Sequence, residues 1–523
     1  MTLTTAALPA TTEEPPAPNG DGAAARTRAL TAGGTQPPAS VDLAYEHVDL
    51  QRVAQHMYAL MLRNVSSDGF PFTDATHQLV SHPGCVIAAP SYPANAPGIS
   101  QDYVFNWVRD AAITALEITA ASSSQPGEPI EALTDYVTFA DLCQRNAAPT
   151  KGHACFTIEG QPRPWSEQND GPAIQTVAIL AAFEQLDPAT QQIATALIGR
   201  NLEFLLGCYA DPTTNLWEEH IGFSFFARSV QLRCFREVAA NTVGIPVPAG
   251  IAAAIAWLEN ALEVHWNGSY YATMIGGSAP GDPQQPAVPE GYDPNIDIVQ
   301  ASIYGAVPCT DTKLLATAAQ LISQWADKSS PEVYPVNLTD ARLGLGPMLG
   351  RYPGDLYDGG SDSLGDHPWA LCTANFAQLY YELATKIEAS GSLPLDERSE
   401  TFFGQIGITA ATEVEDAIEV LRDAGDAMLR AVVYHSDHLE LSEQFDGVSG
   451  YEEKRARPHL ELRSVPLRCA CAVRSAGRGL TETTRAIPPE HPCVIGWSTA
   501  MASDDNGGVG PQRWSAVTQR SLR

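Results

Sequence analysis

Asn215-Leu216-Trp217-Glu218-Glu219-His220 leads almost directly into Phe223-Ser224-Phe225-Phe226-Ala227-Arg228-Ser229-Val230-Gln231. Two adjacent carboxylates follow a tryptophan and then meet an aromatic-rich segment with helical periodicity. An apolar wall disfavours the charged form of a carboxyl beside it, and a neighbouring carboxylate pushes the same way, a pattern suited to holding one proton near neutral pH. A proton-holding acid beside a stacking surface is what glycosidic bond cleavage needs. Alone, the three residues Trp217, Glu218 and Glu219 read more readily as a helix start, with acids near the positive end of the dipole.

Outward from this stretch the apolar positions keep a helical period. Leu43, Val48, Leu50, Val53, Met57, Leu60 and Met61 predict a helix within 41–65. Further helices are predicted over 104–121, 130–142, 172–186, 189–209, 223–238, 249–264, 311–325, 368–387 and 412–433. Pro172 after Asp170-Gly171 suits a first helical turn. Strand-like alternation is scarce. The expected class is all-α, with helices stacked as hairpins and a site built on the long loops between them.

Three of those loops repeat the chemistry of the opening stretch. They are Gln101 to Asp110, with Tyr103, Trp107, Arg109 and Asp110; Trp165 to Pro172; and Gly350 to Tyr357, followed by His367-Pro368-Trp369. Each combines a flat aromatic with Arg, Asp or Asn. Aromatics stack on the apolar faces of sugar rings, while charged and amide groups bond the ring hydroxyls. One such stretch is an ordinary Arg-Asp pair; four point to a carbohydrate site. Leu441-Ser442-Glu443-Gln444-Phe445-Asp446 adds a carboxylate far along the chain. Hydrolysis with inversion needs two carboxyl groups roughly 6.5–9.5 Å apart, and Glu218 and Glu443 are the natural pair. Asp293-Pro294-Asn295-Ile296-Asp297 has the alternating oxygens of a calcium loop, but Ile298 and Tyr304 stand where an EF-hand needs Gly and Glu. It reads as the start of a helix or a site loop.

Composition narrows the function class. With 44% apolar residues among 523, the chain can bury a large core. A formal charge of −30 argues against nucleic acid or an anionic membrane as partner, and is compatible with a neutral sugar. No apolar run is long enough to span a bilayer. Residues 1–40, rich in Ala, Thr, Pro and Gly, read as a disordered tail rather than a secretory signal, so the chain as it stands is expected in the cytoplasm. Ten cysteines without metal-like spacing read as buried free thiols, although a secreted protein could pair some of them. Asn64, Asn267 and Asn337 open Asn-x-Ser/Thr sites.

Taken together, the five segments resemble the glucoamylases, glycoside hydrolase family 15, in the family's order from about residue 43 to about residue 453. The resemblance implies an (α/α)6 barrel of six inner and six outer helices, with the site among the loops at one end. It implies release of β-D-glucose from non-reducing ends of α-1,4 glucans, and more slowly at α-1,6 bonds, without metal or cofactor; a monomer is expected. It makes Glu218 the general acid and Glu443 the general base. Glu219 would bind sugar on the leaving side, beside Trp217. Tyr103, Trp107, Arg109 and Asp110 match the clamp on the terminal glucose, Arg351 and Asp355 a second Arg and its partner, and Trp165 and Trp369 the aromatic positions of the site.

The chain departs from the family in several places. Gln168-Asn169-Asp170 replaces a basic residue found in some members, the loop 358–363 is longer, and no starch-binding module follows. After Ser-Glu-Gln-Phe-Asp the family would continue Ser-Ala-Arg-Asp-Leu-Thr-Trp-Ser-Tyr on a closing inner helix. Codons permitted for Lys454 to Leu467, read from their second base, translate as that helix. The expected domain plan is therefore a tail over 1–40, a catalytic domain over 41–453 and a frame-shifted segment over 454–523. Competing readings are an exo-hydrolase of dextran or trehalose on the same scaffold, a non-catalytic glucan-binding protein, and an inactive product of a damaged frame.

Overall fold

The computed structural model describes residues 49–90, 103–122, 130–276, 287–355, 357, 367–437, 439 and 441–452. The segments expected as tails, 1–40 and 454–523, and the long loop 358–363 lie outside the described residues.

Two kinds of helix alternate along the chain. The first kind is amphipathic: α1 (Leu50–Leu62), α3 (Glu131–Asn146), α5 (Pro188–Cys208), α7 (Ile251–Glu263), α9 (Thr312–Ala326) and α13 (Val414–His435) each bury one stripe. The second kind is buried nearly all round: α2 (Val108–Ser122), α4 (Asp170–Ala182), α6 (Phe225–Ala240), α8 (Asp297–Ile303) and α11 (Ala370–Ser390). A helix without a solvated face belongs inside. The contacts agree, since α2 packs on α4, α4 on α6, α6 on α8 and α8 on α11, while α13 meets α1 on the outside. Among the described residues the ring thus has six outer and five inner helices, with short α10 (Pro335–Asp340) and α12 (Glu400–Gln405) between outer and inner members.

Local chemistry sets the ends. Asp187 caps α5, its carboxylate accepting from Ala189 N at 2.8 Å and Thr190 N at 3.1 Å, with Pro188 in the first turn. Asp311 does the same for α9. Inner helices approach closely where a side chain is missing: a Cβ on Gly305 would clash with Ser229 Oγ, the hydroxyl that ties α6 to the end of α8.

The helices predicted from residue 104 onward are present within a few residues of their expected bounds; of the one predicted within 41–65, Leu50–Leu62 is present, and Leu43 and Val48 lie outside the described residues. The helix expected over 104–121 begins only at Val108, because Asn106 and Trp107 form a strand with Cys155 and Phe156. A second small sheet pairs Thr213–Thr214 with Ile221–Ser224, and that strand with Met274–Ile275. Both sheets brace loops that lead into inner helices. Those loops all enter from the same direction, so the N-termini of α2, α4, α6, α8 and α11 and the stretches before them share one end of the ring. None of the described helices is long and apolar enough to cross a membrane. The seven described cysteines are free. Asn64 and Asn337 are buried, while Asn267 is exposed on a turn.

Candidate active site

The turn before the strand Ile221–Ser224 is organised by Asn215. Its Oδ1 accepts from Glu219 N at 2.9 Å and His220 N at 3.1 Å, and its Nδ2 donates to the Tyr292 hydroxyl at 2.8 Å. Its carbonyl accepts from Glu218 N and from Gln168 Nε2. So tight a turn puts Glu218 at φ 64°, in the left-handed region that costs a side-chain-bearing residue roughly 1–2 kcal/mol. The Glu218 carboxyl then receives two indole N–H groups: Trp107 Nε1 donates to Oε1 at 3.2 Å and Trp165 Nε1 to Oε2 at 2.6 Å.

Glu219 points into a different set of donors. Tyr292 donates to Oε2 at 2.6 Å, Tyr352 lies 2.9 Å from both oxygens, and Arg351 Nη2 donates to Oε1 at 2.9 Å. Burial pushes both phenols above their ordinary range and the Glu219 carboxylate adds to it, so both keep their protons and remain donors. Arg351 is only 3% exposed and makes a two-pronged contact with Asp355, Nε to Oδ2 at 2.7 Å and Nη2 to Oδ1 at 2.6 Å. Burial opposes its charge, but Asp355 and Glu219 outweigh it and hold the guanidinium protonated.

That guanidinium is ringed by aromatics, 4.7 Å from Trp369 and 5.1 Å from each of Trp217, Tyr352 and Tyr357. Trp217 and Trp369 lie 6.1 Å apart, Trp369 and Tyr357 5.5 Å, and Tyr103 shares a 2.8 Å hydrogen bond with Tyr357. Tyr103 continues to Trp107 at 6.1 Å, and Trp107 to Trp165 at 6.4 Å. A continuous aromatic wall therefore runs from Trp165 to Trp217 by way of Trp107, Tyr103, Tyr357 and Trp369.

Glu443 stands at the Trp369 section of this wall. Its carbonyl accepts the first N–H of α11, from Ala370, at 3.0 Å. Gln444 pairs with Trp369 as a bridge, Phe445 N donates to Pro368 O at 2.9 Å, and Gln444 Nε2 reaches Tyr357 O. The residue is 6% exposed.

Arg109 and Asp110 sit deeper, in the first turn of α2. Arg109 Nη1 donates to Asp170 at 2.7 Å and to Gln168 at 3.1 Å, and Nη2 to Leu216 O at 3.1 Å. Burial works against its charge, and Asp170, Asp110 and Glu218 more than restore it. Arg109 thus holds the Glu218 turn from behind. Sequence reasoning passed over Asn215, Tyr292 and Asn295, whose Oδ1 accepts from Trp217 Nε1 at 3.0 Å. Asn215 stands first in the decisive stretch, and a short amide before two acids is a turn signal. Asn295 lies in the loop set apart from calcium binding, which is indeed the start of α8.

An alternating ring of helices thus carries, at one end, Glu218 and Glu219 set into an aromatic and hydrogen-bonding wall. The chain belongs to the glycosyl hydrolases family 15, whose family model matches residues 73–460. It is 25% identical over 417 residues to a glucoamylase of Blastobotrys adeninivorans, covering 70% of this chain and 64% of that protein. It therefore spans less than two thirds of that relative's length. A probable glucoamylase of Schizosaccharomyces pombe is also 25% identical, over 75% of this chain and 84% of its own. The solved glucoamylase of Saccharomycopsis fibuligera matches with a TM-score of 0.63 at 20% identity, over 80% of this chain and 94% of that one. The likeness there is one of fold, the (α/α)6 barrel.

Proposed function

We propose that the protein is an exo-acting, inverting glucan 1,4-α-glucosidase that releases β-D-glucose from the non-reducing ends of maltooligosaccharides and starch-like chains, attacking α-1,6 bonds more slowly. The observation that carries this reading is the aromatic wall that links the Glu218 turn to the backbone of the Glu443 loop, bringing two acid-bearing segments from distant parts of the sequence together.

In this mechanism Glu218 protonates the glycosidic oxygen while Glu443 takes a proton from a water on the other face of the sugar. Trp107 and Trp165, donating to Glu218, fix the direction of its carboxyl. Arg351, held by Asp355, and Tyr103, Arg109 and Asp110 line or support the end that takes the terminal glucose. Glu219, Trp217, Trp165 and Trp369 shape the rest. The substrate is neutral, the partner is the glucan itself, and the monomer needs no cofactor or metal for these steps. The same reading assigns the catalytic domain to 41–453 and the segment 454–523 to a shifted frame, which sequencing the locus and its transcript tests.

Proton NMR of maltotriose hydrolysis within the first minutes should show β-glucose. Initial α-glucose overturns inversion, and glucose from dextran or trehalose but not from maltotriose replaces the substrate.

A further inference from the structure

One cation beside the proposed acid has no part in the mechanism above. Arg163 sits on the loop between the strand Cys155–Phe156 and Trp165, with its own N–H on Cys155 O at 3.0 Å and its carbonyl accepting from Trp165 N at 2.8 Å. Its guanidinium lies 4.2 Å from the Trp165 ring centre, 4.0 Å from Phe105 and 5.6 Å from Trp107. Its backbone bond ties it to Cys155, a buried residue paired across the sheet with Trp107. Two of the three rings that Arg163 touches are therefore the two whose N–H groups hold the Glu218 carboxyl.

Trp165 needs such a support. It is 48% exposed on a loop, yet its N–H makes the shorter of the two bonds to Glu218. An indole left half in water samples rotamers unless something covers one face. A planar guanidinium does so at little entropic cost, and cation–π contacts contribute about 0.5–2 kcal/mol each. We infer that Arg163 is a positioning residue for the proposed general acid, wedged behind Trp165 and Trp107 so that both indole N–H groups stay on the Glu218 carboxyl. The inference rests on the proposed role of Glu218.

Arg163→Met keeps bulk and removes the charge and the plane; Arg163→Lys keeps the charge. The full chain and both variants are assayed on maltotriose, whose leaving sugar needs a proton, and on α-D-glucosyl fluoride, whose leaving group does not. Arg163→Met should lose about tenfold in kcat on maltotriose, with KM changed less than threefold and kcat on the fluoride within twofold. The alkaline limb of its pH profile on maltotriose should move to higher pH, because a cation and well-seated donors favour the carboxylate and their loss favours the acid. Arg163→Lys should return the limb part of the way. Equal losses on both substrates with an unmoved limb mean a merely structural residue and overturn the inference, as do unchanged kinetics. A parent chain that hydrolyses neither substrate overturns the proposed function itself, and the inference falls with it.

Discussion

The two loops that carry Glu218 and Glu443 are held in opposite ways. The Glu218 turn is fixed by side chains from distant segments: Asn215 inside it, Gln168 and Arg109 behind it, Trp107 and Trp165 over it, Tyr292 and Arg351 beside it. The Glu443 loop is fixed mainly by its backbone, through Ala370 N, Pro368 O, the bridge to Trp369 and the bond from Val336 N to Gly447 O. Backbone pairing holds a carboxyl in place whatever its neighbours are. A side-chain cage also sets its electrostatics. A proton donor needs the second kind of support more than a base does, since its usefulness depends on where its pKa lies.

The largest test replaces the two acids in turn. Glu218→Gln should lose about 10²–10⁴ in kcat on maltotriose but far less on α-D-glucosyl fluoride, whereas Glu443→Gln should lose on both. Identical behaviour on the fluoride erases the functional half of the comparison. Next, Asn215→Ala takes away the amide that bonds two N–H groups of the turn, Glu219 and His220, and the Tyr292 hydroxyl beside it. About a hundredfold loss in kcat is expected, with about 2–3 kcal/mol of stability, the cost of buried donors left without acceptors. Chemical denaturation with steady-state kinetics measures both.

The corresponding cut in the other loop is gentler. Ala370→Pro removes only the N–H that Glu443 O accepts, at the first position of α11, where proline is tolerated and the extended backbone of Trp369 suits it. About a tenfold loss in kcat is expected, with about 1 kcal/mol of stability. No change would mean that the backbone does not fix Glu443.

The smallest effect on turnover concerns Asp297, which starts α8 and accepts from the Thr273 hydroxyl. Burial raises its carboxyl to about 7, with Asp293 adding to the shift. The folded state therefore binds more protons than the unfolded chain, whose aspartates titrate near 3.9. Its contribution to stability is fully present below about pH 4 and is lost as pH rises through about 7. Asp297→Asn should flatten the fall in Tm between pH 4.5 and 7.5 and leave kcat within twofold. An unchanged slope would refute the assignment.

Much of the ring is legible in the amino-acid sequence itself. Outer helices announce themselves through a half-apolar period, as in Val53, Met57, Leu60 and Met61, and one inner helix start through Pro172 after Asp170-Gly171. Of the inner helix Asp297–Ile303 only the entry is legible there, in Asp293 to Asp297, because seven residues buried on every side leave no period from which to read its extent. The tryptophans and acids of the site stand out as residue types. The residues that aim them do not: Asn295 bonds Trp217 across 78 positions, and nothing local marks such a partnership. Arg163, between Pro162 and Pro164, looks like any charged surface loop until the three rings around it are seen.

The left-handed backbone at Glu218 has a consequence for how such a protein could change trade. Glycine adopts that conformation without steric cost, so Glu218→Gly would relax the turn while leaving Glu219 its bonds to Arg351, Tyr292 and Tyr352. The pocket would still recognise the end of a glucan but would have no proton to give. On the proposed assignment, one substitution at a residue that sits uneasily in its own backbone separates an enzyme from a lectin.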